Sequence, residues 1–200
     1  MIVLTSNGLS GNALFDAMRC HIKAGRAALV VTADHEYKEK NRHVARLTDE
    51  LHALGLQVDC FDFDYQSPAE LLAYDVVELI GGNPYYLMNS IRQNCFLDSL
   101  KRVAQSRCVI GCSAGALVLT PTLELIDRYS PEMNTVGLKD LSACHLTDIQ
   151  ILPHYSKFLL RYQSFEQTCL QYEQETDCKV IRLNDGEGVI LQNREILVIR

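Results

Sequence analysis

The chain has 200 residues, is 48% hydrophobic and carries a formal charge of -6, which is enough apolar material for one packed domain spanning residues 1–200. Its 19 basic and 25 acidic residues are dispersed, so there is no basic stripe for nucleic acid, and no apolar run reaches the roughly 20 residues that span a bilayer. The opening MIVLTSNGLSG lacks a basic segment ahead of a long apolar one, and the 8 cysteines form no CxxC pair; together these predict a cytoplasmic protein with reduced thiols and no metal centre.

Strand-length apolar runs alternate with segments of helical period, the pattern of a parallel sheet covered by helices. Met1 to Ser6 reads as a strand, and Leu14, Phe15, Met18 and Ile22 then form a helical stripe. Ala27 to Ala33 is a second strand, followed by a helix over Tyr37 to Leu54 that Gly55 stops. Leu56 to Phe63 alternates as a third strand before a short helix at Pro68 to Leu72. Val76 to Gly82 is a fourth strand, a helical stretch runs through Lys101, and Arg107 to Cys112 is a fifth. A loose excursion rich in Pro, Gly and polar residues leads to a strand at Asp148 to His154 and a helix over Lys157 to Glu175. The turn signals Asn184-Asp185-Gly186 and Gln192-Asn193 then separate three short strands, expected as an antiparallel addition at the sheet edge.

Gly111-Cys112-Ser113-Ala114-Gly115 matches G-x-S-x-G, with a strand before it and a small-residue helix start after it. A nucleophile on such a turn adopts strained backbone angles, and the following helix offers N–H groups to a developing oxyanion. A serine nucleophile also needs a base. His21, His35, His43 and His52 fall in helical or loop settings and read as solvated, and His145 lies in the excursion. His154, in ILPHYS at the end of a strand, is the candidate base, with a hydrogen-bonded structural histidine as the plainer reading. Gly81-Gly82 ends the strand before the elbow, where the main chain can approach a substrate closely; Gly82 and Ala114 N–H are the natural oxyanion pair, against a simple turn. Cys112, one residue before Ser113, is expected to point into the sheet.

IGGNPYYL, GCSAGALVL and LPHY, in that order and spacing, resemble the glycine loop, elbow and histidine segment of the peptidase E family of serine peptidases, family S51, which includes aspartyl dipeptidase and cyanophycinase. The resemblance implies an α/β three-layer sandwich with a mostly parallel central sheet, like class I glutamine amidotransferases and flavodoxin, plus antiparallel C-terminal strands. It implies hydrolysis of small peptides, including aspartyl ones, without a cofactor or metal, by a triad of Ser113, His154 and an acid, with Gly82 and Ala114 as the hole. Counting back from His154, the family's acidic position falls on Glu132 in SPEMN; counting forward from Ser113, it falls on Asp127 in LIDRYS, and Glu132 is preferred. The basic and acidic stretch that follows the histidine in the dipeptidases is poorly matched by SKFLLRYQSFEQ, where Lys157 and Arg161 could meet an acidic substrate or simply be solvated. The expected partner is a small peptide substrate, with no nucleic acid or membrane, and a homodimer is left open. An α/β-hydrolase esterase, a glutaminase using Cys112 and a non-catalytic ligand-binding relative are the competing readings.

Overall fold

The computed structural model describes residues 1–200. Its strands are β1 (Ile2–Thr5), β2 (Gly25–Val30), β3 (Leu56–Phe61), β4 (Val76–Leu79), β5 (Cys108–Cys112), β6 (Gln150–Leu152), β7 (Val180–Arg182), β8 (Gly188–Gln192) and β9 (Glu195–Ile199). Its helices are α1 (Asn12–His21), α2 (Val44–Ala53), α3 (Pro68–Leu71), α4 (Pro84–Gln93), α5 (Leu97–Ser106), α6 (Ala114–Leu117), α7 (Glu124–Tyr129), α8 (Tyr155–Arg161) and α9 (Phe165–Thr176). The first five strands are parallel and form, with β8 and β9, a seven-stranded sheet of order β3-β2-β4-β5-β1-β8-β9 in which the last two strands run antiparallel.

Every residue of β4 and β5 is buried, the carboxyl-bearing Glu78 of β4 included, so both strands are covered on both faces as a parallel sheet flanked by helices requires. The chain moves one way across the sheet from β1 to β2 and β3, then back through β4 and β5. Right-handed crossovers therefore put α1 and α2 on one face and α3 to α5 on the other. The main core joins the two layers through residues such as Leu29, Val77, Ile110, Leu14 and Leu100, all without solvent exposure. This is the α/β fold with a mostly parallel sheet and antiparallel C-terminal strands that the residue pattern predicts. No helix is long and apolar enough to cross a membrane.

Four elements depart from expectation, each for a packing reason. The helix expected over Tyr37 to Leu54 begins only at Val44, because Lys38, at φ 49°, is held between Asp62 and Asp64 at the end of β3 and keeps the preceding segment as a loop. The stretch to Lys101 breaks into α4 and α5, where Cys95 takes φ 59° so that Phe96 can stack on Phe63, centroids 4.0 Å apart. The helix from Lys157 breaks into α8 and α9 at Ser164, φ 61°, which folds Phe158, Tyr162 and Phe165 around Tyr129. Finally, β6 and β7 leave the main sheet and pair with each other in parallel, so only β8 and β9 form the expected antiparallel addition. Their own small core of Leu125, Leu152, Phe165, Cys169, Tyr172 and Val180 accounts for the separation.

Candidate active site

Because the central strands are parallel, their carboxyl ends share one edge of the sheet. The register pairs Thr5 with Cys112 and Leu79 with Gly111, which brings Ser6, the Ile80-Gly81-Gly82 loop and Ser113 together. Ser113 has φ 51° and ψ -110°, a strained conformation for a residue with a side chain. Its N–H donates to Thr5 O at 3.0 Å, and its carbonyl accepts from Ala116 and Leu117 at 2.9 and 3.0 Å, so strand and helix together hold the turn. Gly115 is required by close approach: a Cβ there would lie 2.1 Å from the Leu79 carbonyl oxygen of β4.

Ser113 Oγ lies 2.9 Å from His154 Nε2. His154 occupies the left-handed region at φ 56°, at the start of α8, and Phe158 meets its ring edge-on at 5.6 Å. On the other ring nitrogen, Nδ1 lies 2.6 Å from Asp185 Oδ1, the geometry of an N–H donating to a carboxylate. The second oxygen of Asp185 pairs with Lys157. Partial burial alone would raise the Asp185 carboxyl, but the bonds from Lys157, His154 and Ser6 outweigh it and hold the group at about 2, ionised at any ordinary pH.

The carboxylate on the histidine is thus Asp185, which corrects the expectation of Glu132. Glu132 is exposed on a short turn over Pro131–Met133, and that turn is tied to the glycine loop by Asn83 Nδ2 donating to Met133 O at 2.7 Å. Asp127, the alternative, accepts from Tyr85 Oη at 3.0 Å. Neither carboxylate is hydrogen-bonded to the imidazole, whose ring nitrogens meet Asp185 and Ser113. In the sequence Asp185 reads only as a turn residue, within Asn184-Asp185-Gly186. The deciding signal is the register of the small sheet: Leu152 pairs with Arg182, so His154, two residues on, and Asp185, three residues on, leave adjacent parallel strands at the same end. Nothing in the sequence announces that β6 and β7 are partners.

The expected oxyanion donors sit beside the nucleophile. Gly82, at φ 151°, packs so closely on the loop after β2 that a Cβ would meet Ala33 O at 2.4 Å, and a Cβ on Gly81 would lie 3.3 Å from Ser113 Cβ. Neither the Gly82 nor the Ala114 N–H donates to a carbonyl of the chain, which leaves both available to a ligand oxygen. The cleft over Ser113 has a volume of about 270 Å³, and besides the glycine loop its wall includes Asn7, Asn41, Arg42, His43 and Arg46. His43, expected as a solvated histidine, belongs to this wall because the loop before α2 stays unwound. Burial, then the cations Arg42 and Arg46, depress its basicity. Cys112 is buried, and burial pushes its thiol up to about 12, so the thiolate a glutaminase would need is disfavoured. A larger groove of about 1000 Å³ at the opposite end of the sheet, beside Met1, Asp75 and Arg107, contains no serine paired with a histidine.

The sequence model of peptidase family S51 matches residues 2–199. An uncharacterized peptidase of Listeria monocytogenes is 22% identical over 204 residues, covering 100% of this chain and 98% of that protein. One from Pasteurella multocida is 24% identical over 151 residues, covering 73% and 71%. Among solved structures, a Listeria monocytogenes protein provisionally described as a peptidase E superimposes with a TM-score of 0.78 at 22% identity, covering 100% and 97% of the two chains. A peptidase from an acI-B1 actinobacterium gives 0.67 at 16% identity, covering 94% and 81%.

Proposed function

Because the chain belongs to peptidase family S51 and is a peptidase, we propose that it is of the serine type, with Ser113 as nucleophile, His154 as base and Asp185 as the acid that orients the base. The observation that carries this reading is the unbroken line from Asp185 Oδ1 to His154 Nδ1 at 2.6 Å and from His154 Nε2 to Ser113 Oγ at 2.9 Å. Asp185 holds the proton on Nδ1, which leaves Nε2 free to accept the Ser113 proton as Oγ attacks the scissile carbonyl. The carbonyl oxygen becomes an anion placed to accept from Gly82 and Ala114 N–H. His154 then returns the proton to the leaving amine, and a water activated by the same nitrogen releases the acyl group from Ser113.

The substrates we propose are short peptides with an acidic residue beside the cleaved bond. Arg42 and Arg46 stand in the cleft wall, and Asn7 and Asn41 add neutral polar contacts there. Ser113→Ala should lower peptide hydrolysis by at least about a thousandfold with an unchanged fold. A panel of dipeptides differing only in an acidic or neutral first residue tests the preference. Equal turnover across the panel removes the acidic substrate, and full turnover by Ser113→Ala removes the serine mechanism.

A further inference from the structure

The residues of the proposed triad come from two different sheets. Ser113 leaves the main sheet, whereas His154 and Asp185 leave the separate pair β6 and β7. Transfer of a proton between Oγ and Nε2 tolerates only about half an ångström of misplacement, so something must lock one sheet to the other. Apolar contacts between them are not directional enough to set the ring.

Resting on the serine-peptidase reading above, we propose that Ser6 is a positioning residue that fixes His154 and Asp185 against the nucleophile. Ser6 directly follows β1 and has no solvent exposure. The carbonyl of its neighbour, Thr5, receives the Ser113 N–H at 3.0 Å. The Ser6 hydroxyl oxygen accepts the backbone N–H of His154 at 2.9 Å and donates its single proton to Asp185 Oδ1 at 3.0 Å. Its own N–H donates to Glu187 O at 3.2 Å, in the turn that carries Asp185. One buried residue thus touches the base and the acid and adjoins the strand bond that holds the nucleophile. The bond to His154 N–H also offsets the cost of a left-handed backbone at a residue with a side chain.

The charged groups around the imidazole are Asp185 from the turn after β7, Lys157 from α8, and Arg42, His43 and Arg46 from the cleft wall. Removing the Ser6 hydroxyl takes one donor from Asp185, so its carboxylate holds a protonated imidazole more strongly. It also leaves the His154 N–H unpaired, so the ring is less well aimed.

A fluorophosphonate probe reads both effects without requiring the natural substrate. Ser113 Oγ attacks phosphorus, the new O–P bond forms as P–F breaks, fluoride leaves, and the hydroxyl proton passes to His154 Nε2. The second-order rate of inactivation is measured from pH 5 to 9 for the wild type, Ser6→Ala, Ser6→Cys and Ser113→Ala, with the labelled residue mapped by mass spectrometry. Ser6→Cys fills the same space with a poor donor and acceptor, and so guards against collapse of the alanine variant. We expect both Ser6 variants to react about ten- to a hundredfold more slowly near neutral pH, and the rising acid side of the profile to move up by about half a pH unit. Wild-type rate and profile in Ser6→Cys would overturn the proposal while leaving the triad reading intact. Slowing with no movement of the profile would overturn it too, in favour of a purely structural role. Absence of label on Ser113 in the wild type would instead remove the serine-peptidase reading itself.

Discussion

Glu78 offers the sharpest test of the electrostatics of this fold. It lies in β4 between Leu29 of β2 and Ile110 of β5, has no solvent exposure, and neither carboxyl oxygen has a hydrogen-bond partner. Burial pushes its carboxyl from 4.5 up to about 8; the charge of Glu50 adds to this and Arg46 opposes it. The folded chain therefore keeps a proton that the unfolded chain gives up. The sign is opposite to that of a salt-bridged carboxylate: stability is greatest below pH 4.5, falls as pH rises, and levels off above about 8. At about 1.4 kcal/mol per pH unit, the loss reaches about 3 kcal/mol at pH 7 and about 5 kcal/mol once the group is fully ionised. Glu78→Gln keeps the volume and removes the titration. Urea unfolding of both proteins at pH 5.5 and 7.5 should show the glutamine variant gaining about 2–3 kcal/mol relative to wild type between the two conditions, since all other titrating groups cancel in the difference. A stability difference that is the same at both pH values would refute the assignment of a neutral buried carboxyl.

Asp185→Asn should slow peptide hydrolysis by about a thousandfold or more, because the amide favours the wrong imidazole tautomer, and should lower the melting temperature at pH 7 by a few degrees, at most about ten, because the ionised carboxylate's bonds to Lys157, His154 and Ser6 are weakened. Since Asp185 is depressed from 3.8 to about 2, its contribution to stability is present above pH 4 and is lost as pH falls towards 2; acid unfolding of the variant should lack that part of the decline. Gly115→Ala places a Cβ against Leu79 O and should destabilise the fold by about 2–4 kcal/mol, whereas Gly137→Ala, with nothing within 4 Å but φ 65°, should cost about 1 kcal/mol in the same urea titration. Arg42→Ala should raise KM for acidic dipeptides about tenfold with little change in kcat; an equal rise for neutral dipeptides would show that the cation does not read the side chain.

The elements that could be read directly from the sequence are those set by local pattern. The strand-length, mostly apolar runs at Ala27–Ala33, Val76–Gly82 and Arg107–Cys112 read as strands of a sheet covered by helices, and G-x-S-x-G between one of them and a small-residue helix start reads as a strained turn because of that context. His154 is legible from its place after an apolar run, although that strand belongs to the separate β6–β7 pair rather than to the main sheet. The extent of the helix before Leu54, the break at Cys95 and the break at Ser164 could not be read, because each follows from a distant partner: Asp62 and Asp64 for Lys38, Phe63 for Phe96, and Tyr129 for Phe165.

By itself, then, the sequence determined the parallel α/β core, the strained Ser113 and the histidine that could serve it, since periodicity and small-residue spacing are properties of neighbouring residues. Tertiary structure alone decided that the imidazole meets Asp185 rather than Glu132, and that His43 and Arg42 wall the cleft. Those choices depend on which strands pair and on which loop stays unwound, and the free energy of such pairings comes from burial between segments far apart in the chain.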